Sequence, residues 1–324
     1  MTETLASPQL ESLEKTGRPS VAVVGSFAET WGTETYILRA FQRLGLTTTF
    51  VREAFHTWRQ AATACKGSDL VLFNKARFYD GDFPGHVPTD FINACRAQGS
   101  VVVAWLFDQF NKDWCKVRNK WALDTAEACV LFFTTDGFFA TETPHPKLVV
   151  LRQGCPDDWT TGGLRDDWIH DFVFIGTVYR NRCDFVGEMK RLYRKRFQLL
   201  DGIRGPDLSH LCRSAKLLVA PPYPVQPGYF SNRVYVVTGN RGCFLGPEVA
   251  GMREEGWKPG ENYFSYDYTK PLEDQVKLFN WYAHDEAWRE RVAANGAALC
   301  RDKFTYDARC RRLLEILDER KLLR

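Results

Sequence analysis

Several things are missing from this sequence, and each absence removes a class of function. No apolar run approaches the roughly 18 residues needed to cross a bilayer, so no membrane span is expected. The polar opening stretch, Met1 to Ser20, has no apolar core of the kind a secretory signal requires. Ten cysteines are present, yet none forms a C-x-x-C pair or a zinc-finger spacing with histidine. Several sit in apolar segments such as Ala128-Cys129-Val130-Leu131, which reads as small buried hydrophobes in a reducing, cytoplasmic compartment. The histidines, His56, His86, His145, His170, His210 and His284, show neither H-x-x-x-H nor H-E-x-x-H spacing, so no metal requirement is expected. There is no Walker loop, no G-x-S-x-G elbow, no repeat period and no low-complexity tract. Net charge is only +3, so no global field favours nucleic acid or membrane, although a local basic patch is compatible with it.

What is present is an alternation of short apolar runs and helical patterns. Ser20–Val24 is an apolar, β-branched run that stops at Gly25-Ser26. A helical pattern follows, with Tyr36, Leu38, Phe41 and Leu44 inward and Gly45 ending it, and then a strand at Thr47–Val51. This β-α-β opening lacks the G-x-G-x-x-G dinucleotide fingerprint. Further strands are predicted at Leu70–Phe73, Val101–Leu106, Ala128–Thr134 and Leu148–Leu151, with helices at Thr89–Ala97 and Asp124–Glu127. Gly154 to Asp167 reads as a linker, after which the pattern restarts. Strands are predicted at Phe172–Ile175, Phe197–Leu200, Lys216–Ala220 and Cys243–Leu245. Helices are predicted over 183–195, 207–214, 231–238, 273–281, 286–300 and 305–323, with Thr305 and Asp307 as candidate caps of the last.

Continuous apolar strands alternating with helices imply parallel sheets covered on both faces. The fold class is therefore α/β, two Rossmann-like domains facing across a cleft. The expected division is a flexible leader at 1–18, an N-terminal acceptor domain at 19–160 and a C-terminal donor domain at 161–305. The last helix, 306–324, is expected to pack back on the N-terminal domain. Ligands of open parallel sheets bind beyond the carboxyl ends of the strands, so residues on those loops are the site candidates.

The strongest candidate is Ser231-Asn232-Arg233-Val234-Tyr235, running on to Gly239, Gly242 and Cys243-Phe244-Leu245. It puts a hydroxyl, an amide and a guanidinium at a helix start. Unpaired N–H groups and the helix dipole favour phosphate there, and arginine adds a planar, permanently charged grip. Ser231 alone is equally explained as a helix cap. Gly176-Thr177-Val178-Tyr179-Arg180-Asn181-Arg182 follows the first strand of the second half. Gly176 permits close backbone approach, and Arg180 or Arg182 is placed to neutralise a diphosphate, against the alternative of a turn with solvated arginines. Asp108, in Trp105-Leu106-Phe107-Asp108-Gln109, ends a strand as a candidate general base for an acceptor hydroxyl. Asp136, before Gly137, reads better as a turn residue. The segment from Phe110 to Trp121 interleaves aromatics with Lys112, Lys116, Arg118 and Lys120, and Lys75 and Arg77 end another strand in the same half. Together they offer an acceptor-side basic rim suited to phosphate contact and base stacking, or they form an ordinary solvated helix face.

An ordered series of motifs runs through the second half: Phe174-Ile175-Gly176-Thr177 with Arg182, Ser231-x-Arg233-Val234, Gly239, Gly242-Cys243-Phe244-Leu245, Pro259-Gly260-Glu261-Asn262 and Phe304-Thr305-Tyr306-x-x-Arg309. Over residues 170–318 the chain resembles the C-terminal domain of the CgeB-like glycosyltransferases, of the two-Rossmann-domain GT-B superfamily. The resemblance implies a metal-independent glycosyltransferase with a nucleotide-sugar donor, a UDP-sugar first among them, held mainly by the second domain. Gly176, Thr177, Arg180, Arg182, Ser231, Asn232 and Arg233 would face the donor, and Lys75, Arg77, Lys112, Lys116 and Arg118 the acceptor. The acceptor is expected to be a polysaccharide, a small metabolite, a protein or, more specifically, a hydroxymethylated base in DNA. Where relatives carry a glutamate that would grip the donor ribose, this chain has Val236, with Glu248 the nearest carboxylate that follows. A non-catalytic nucleotide or glycan binder and a sugar-nucleotide epimerase are the competing readings.

Overall fold

The computed structural model describes residues 19–74, 89–107, 116–156, 163–178, 182–221 and 225–323, except for the side chains of 116–119. The chain divides into two compact units at Arg152/Gln153, with the chain from Tyr306 onward returning to the first.

Unit 1 begins with β1 (Ser20–Gly25), α1 (Thr33–Arg43), β2 (Thr47–Arg52), α2 (Trp58–Ala64), β3 (Leu70–Phe73) and α3 (Thr89–Ala97). It continues with β4 (Val101–Leu106), α4 (Lys116–Ala128), β5 (Leu131–Thr134), α5 (Gly137–Glu142) and β6 (Leu148–Val150). The strands form one parallel sheet in the order β2-β1-β3-β4-β5-β6. Alternation along each strand sends side chains to opposite faces. Ala22, Val24, Val71, Phe73, Val102 and Ala104 join α2, α3 and α4 in one core. Val21, Val23, Leu72, Val103, Trp105 and Phe133 face the other way, against α1.

Unit 2 contains β7 (Phe172–Ile175), α6 (Arg182–Tyr193), β8 (Phe197–Leu200), α7 (Gly205–Ser214), β9 (Leu217–Val219) and α8 (Arg233–Gly239). β10 (Phe244–Pro247), β11 (Phe264–Tyr266), α9 (Val276–His284) and α10 (Glu286–Lys303) follow. Its parallel sheet runs β11-β10-β9-β7-β8, so β7 is flanked on both sides and its last residue is well positioned to hold a site. One face packs Val173, Leu218 and Phe244 under α7 and α8. The other packs Phe172, Phe174, Val219 and Leu245 under α6, α9 and α10.

The final helix, α11 (Tyr306–Glu319), belongs to unit 1. Its Tyr306, Cys310, Leu313 and Leu317 complete the core beneath α1, and the Tyr306 ring stacks on Tyr36 at 5.8 Å. Asp307, in the first turn of α11, accepts three hydrogen bonds from Arg43 on α1, with Nη2 to Oδ1 at 2.7 Å.

Three local readings change. α4 starts at Lys116 rather than Asp124, and the strand after it starts at Leu131 rather than Ala128, because Trp121, Ala122 and Ala126 are buried as one helical face. The helix α2 carries a Thr57/Gln60 capping box, a signal present in the sequence at Thr57-x-x-Gln60. Asp136 caps α5 by accepting the Phe139 N–H at 3.0 Å and is fully buried. Eight of the nine described cysteines are buried and all nine are free thiols, with Cys183 exposed.

Candidate functional site

The carboxyl end of β7 and the start of α8 build one constellation in unit 2. Gly176 follows the last residue of β7 with φ +128°, a conformation that side-chain-bearing residues rarely adopt. Its N–H donates to Leu200 O at 2.9 Å, which fixes the turn to the end of β8. A methyl group at this position would overlap Nη2 of Arg233. The glycine is therefore required twice, by its backbone and by the guanidinium that lies against it.

The Arg233 guanidinium is held on several sides. Nε donates to Ile175 O at 2.8 Å, Nη1 lies 3.3 Å from Ser231 Oγ, and the group sits 5.0 Å above the Phe174 ring. A planar fork fixed this way is pre-organised, so little rotamer freedom remains to be lost when an anion binds. The neighbouring turn is also tied down. Arg182 Nη1 donates to Thr177 O at 3.1 Å, and the Thr177 hydroxyl donates to Asp201 Oδ2 at 3.3 Å.

Beside the constellation is a pocket of about 350 Å³, lined by Ile175, Arg204, Leu208, Ser231, Asn232, Arg233, Val236 and Val237. Among the described residues, two guanidiniums and no carboxylate line it, over an aliphatic floor. That combination suits a ligand with an anionic end and a less polar body. The Asn232 amide oxygen is buried and has no hydrogen-bond donor among the described residues. Val236 lines the pocket, whereas Glu248 does not and is ion-paired with Arg253.

The expected helix-terminus phosphate grip is not what the backbone provides. α8 has seven residues, and its first amides bond locally: Arg233 N–H to Ser231 Oγ at 3.3 Å, Val234 N–H to Ser231 O at 3.1 Å, and the Tyr235 and Val236 N–H groups to Asn232 O at 3.1 Å. The positive character of this site therefore comes from arginine side chains rather than from unpaired amides. Ser231 is not the cap residue either; Asn232 occupies that position, and Ser231 Oγ serves Arg233.

Ser231, Asn232 and Arg233 thus share one pocket, with Gly176, Thr177 and Arg182 in the adjoining turn. Arg204 and Leu208 were not among the expected residues. Arg204 stands at the N-cap of α7, just past the carboxyl end of β8, and the strand-end rule applied to β8 would have pointed to it. Asp108, Lys75, Arg77, Lys112 and Arg180 lie outside the described residues. Lys116 and Arg118 fall in the first turn of α4, where only the backbone is described. Among the described residues no group of three or more His, Cys, Asp or Glu is placed to hold a metal ion. Nor is any described helix long and apolar enough to cross a membrane.

No family model and no curated protein matches the sequence. Solved structures do resemble the fold. Alr3699/HepE from Anabaena in complex with UDP-glucose matches with a TM-score of 0.64 at 10% identity, over 93% of this chain and 100% of that one. The sucrose-phosphate synthase of Thermosynechococcus elongatus gives 0.64 at 10% identity, over 93% and 99%. An α-glucosyltransferase in complex with UDP and a 13-mer DNA containing a central A:G mismatch gives 0.62 at 10% identity, over 93% and 100%. At such identity the likeness establishes architecture: this chain has the two Rossmann-like units of the GT-B fold.

Proposed function

We propose that this protein is a glycosyltransferase that moves a sugar from a nucleoside-diphosphate donor, a UDP-sugar, to a hydroxyl acceptor. The observation that carries the proposal is the Arg233 fork, fixed by Ile175 O and Ser231 against Gly176 at the mouth of a pocket that also holds Arg204. Sugar transfer builds negative charge on the departing diphosphate. Fixed cations aimed at that charge lower the barrier without having to reorganise during the reaction. In this reading Arg233, Arg204, Arg180 and Arg182 neutralise the diphosphate, Gly176 and Thr177 approach it through the backbone, and Ser231 orients Arg233. A bound donor supplies the hydrogen bond that Asn232 Oδ1 lacks. The neighbours seen with UDP and UDP-glucose support a uridine donor. Arginines do the neutralising here, so transfer is expected to survive a chelator.

Asp108 is the proposed base for the acceptor hydroxyl if the reaction inverts the sugar; a retaining route needs no strong base there. The proposed acceptor is a hydroxymethylated base in DNA, contacted by Lys75, Arg77, Lys112, Lys116 and Arg118 and extruded from the duplex to reach the donor. The basic-aromatic stretch from Phe110 to Trp121 and the fold neighbour bound to DNA support it. Membership of the CgeB-like group rests on the ordered motifs between Phe174 and Arg309.

The test is release of UDP from UDP-glucose and other UDP-sugars, with hydroxymethylcytosine-containing DNA and a neutral polysaccharide offered as acceptors. Acceptor-dependent UDP release by the wild type, lost in Arg233→Ala, is the expected result. A non-catalytic nucleotide binder is the second reading, and Val236 in a pocket with no carboxylate among its described residues favours it. UDP binding without turnover of any donor would select that reading.

A further inference from the structure

Unit 1 carries a feature that sugar transfer does not use. At the carboxyl ends of β1 and β2, where open parallel sheets bind their ligands, aromatic rings and guanidiniums interleave on the surface. Phe27 and Phe50 lie 5.5 Å apart. The Arg52 guanidinium sits 6.0 Å from the Phe50 ring and 5.9 Å from the Phe55 ring. Next along the chain, Arg59 covers the Trp58 ring at 4.9 Å, and on α1 Arg39 lies 5.8 Å from Trp31. Phe50 is 52% exposed and Phe55 72%, far more than hydrophobic burial would leave uncovered.

Three further observations mark this as a built surface. Phe27 has φ +44°, a strained backbone for a bulky residue, and this conformation holds its ring beside Phe50. Within 50–60, the stretch that carries Phe50, Phe55 and Arg52, the exposed charged side chains are the cations Arg52 and Arg59 and the single acid, Glu53, is buried, while the exposed acid Glu29 lies on the Phe27–Trp31 side. β2 is the edge strand of its sheet, and Phe50 on it is half exposed.

Flat exposed rings spaced by guanidiniums match unpaired nucleobases on a phosphate backbone. Bases stack on the rings and on arginine planes, and the cations answer the phosphates. A neutral glycan would use the rings and leave the cations without a role. A duplex hides its base faces and would use only the cations. We infer that the β1–β2 border of unit 1 is a binding site for single-stranded nucleic acid, with Phe50 and Phe55 as stacking platforms and Arg52 between them. The site stands whether or not the chain transfers sugar, and it uses none of the residues assigned to the donor or acceptor above.

The test is fluorescence anisotropy of the full chain with labelled oligonucleotides of about 12 nucleotides, at roughly 50 mM salt. The probes are single-stranded DNA, single-stranded RNA and the matching blunt duplex, with a neutral maltooligosaccharide as competitor. Single strands are expected to bind more tightly than duplex. Phe50→Ala with Phe55→Ala should weaken single-strand binding at least about tenfold, and Phe55→Ala alone about fivefold. Phe55→Trp, which keeps a stacking face, should retain it. The DNA and RNA probes decide which nucleic acid is preferred. The inference fails if single strands do not bind, if binding equals that of duplex and ignores the ring substitutions, or if the maltooligosaccharide displaces the nucleic acid. It also fails if the rings mediate only self-association of the chain. Circular dichroism of Phe55→Ala, a change at a mostly exposed ring, separates lost binding from lost folding.

Discussion

The first turn after the first strand exists twice in this molecule, once in each unit, and the two copies have opposite chemistry. In unit 2, Gly176 lies under the Arg233 guanidinium with φ +128°. In unit 1, Gly25 ends β1 and lies under the side chain of Glu34, in the first turn of α1. A carboxylate at a helix N-terminus satisfies the dipole from within the protein and repels a phosphate. One Rossmann turn is thus set for an anion and the other is already filled by one. In place of a phosphate grip, unit 1 carries the ring of Phe27, two residues after Gly25, and the aromatic border it belongs to. In the proposed reading both strand ends hold ligands, and the side chain that meets the glycine decides which kind.

This contrast can be broken most sharply at the glycines. Gly176→Ala combines a disfavoured backbone with displacement of Arg233, and should weaken UDP binding about 100-fold, close to 2.8 kcal/mol, by calorimetry. Gly25→Ala, whose backbone is not left-handed, meets Cγ and Cβ of Glu34 and so displaces the first turn of α1; it should lower the melting temperature and leave UDP binding unchanged. Equal effects of the two substitutions would erase the distinction between the turns.

A smaller effect belongs to the other end of β7. Asp171 pairs with Arg196 at 2.5 Å and Lys216 at 2.7 Å. Partial burial works to raise its carboxyl pKa, but the hydrogen bonds from Lys216 and Arg196 outweigh it, leaving the pKa below the ordinary 3.8. A carboxylate depressed in the folded state stabilises the protein above its unfolded pKa and loses that contribution as pH falls through the folded one. Asp171→Asn should therefore cost about 2 kcal/mol at neutral pH in chemical denaturation. The gap between wild type and variant should stay constant down to about pH 4 and close below it.

In unit 1, Asp136→Ala should cost about 1 kcal/mol through loss of the α5 cap, read as a lower denaturation midpoint with UDP binding intact. The smallest change is Arg43→Ala. Its ion pair with Asp307 joins α1 to α11, but both side chains are partly exposed, so a loss under about 1 kcal/mol is expected, shrinking with added salt.

Much of this could be read before the structure, for physical reasons that can be named. β1, β3, β4 and β7 are buried on both faces, so they appear as unbroken apolar runs. Strand β11 has three residues, too few to show a period, and was missed. The helix α2 shows little amphipathic contrast in Trp-Arg-Gln-Ala-Ala-Thr-Ala and is visible only through its capping box. At the site, Ser231, Arg233 and Gly176 could be chosen because each stands at a strand or helix end. The tight seat of Arg233 on Gly176 spans 57 positions and depends on β7 and α8 coming together, which no local pattern encodes. Arg204 follows the end of β8, where the strand-end rule would have found it, whereas the aromatic border draws its members from the β1–α1 turn, β2 and the turn after it and shows no local pattern.

The central claim is that Arg233, seated on Gly176, makes unit 2 a nucleoside-diphosphate site. Titration calorimetry of UDP into the wild type and Arg233→Ala tests it most directly. The account predicts saturable one-to-one binding by the wild type, weakened in the variant by roughly ten- to 150-fold, as expected for lost charge-assisted hydrogen bonds. No UDP binding by the wild type, or equal binding by both proteins, would contradict it.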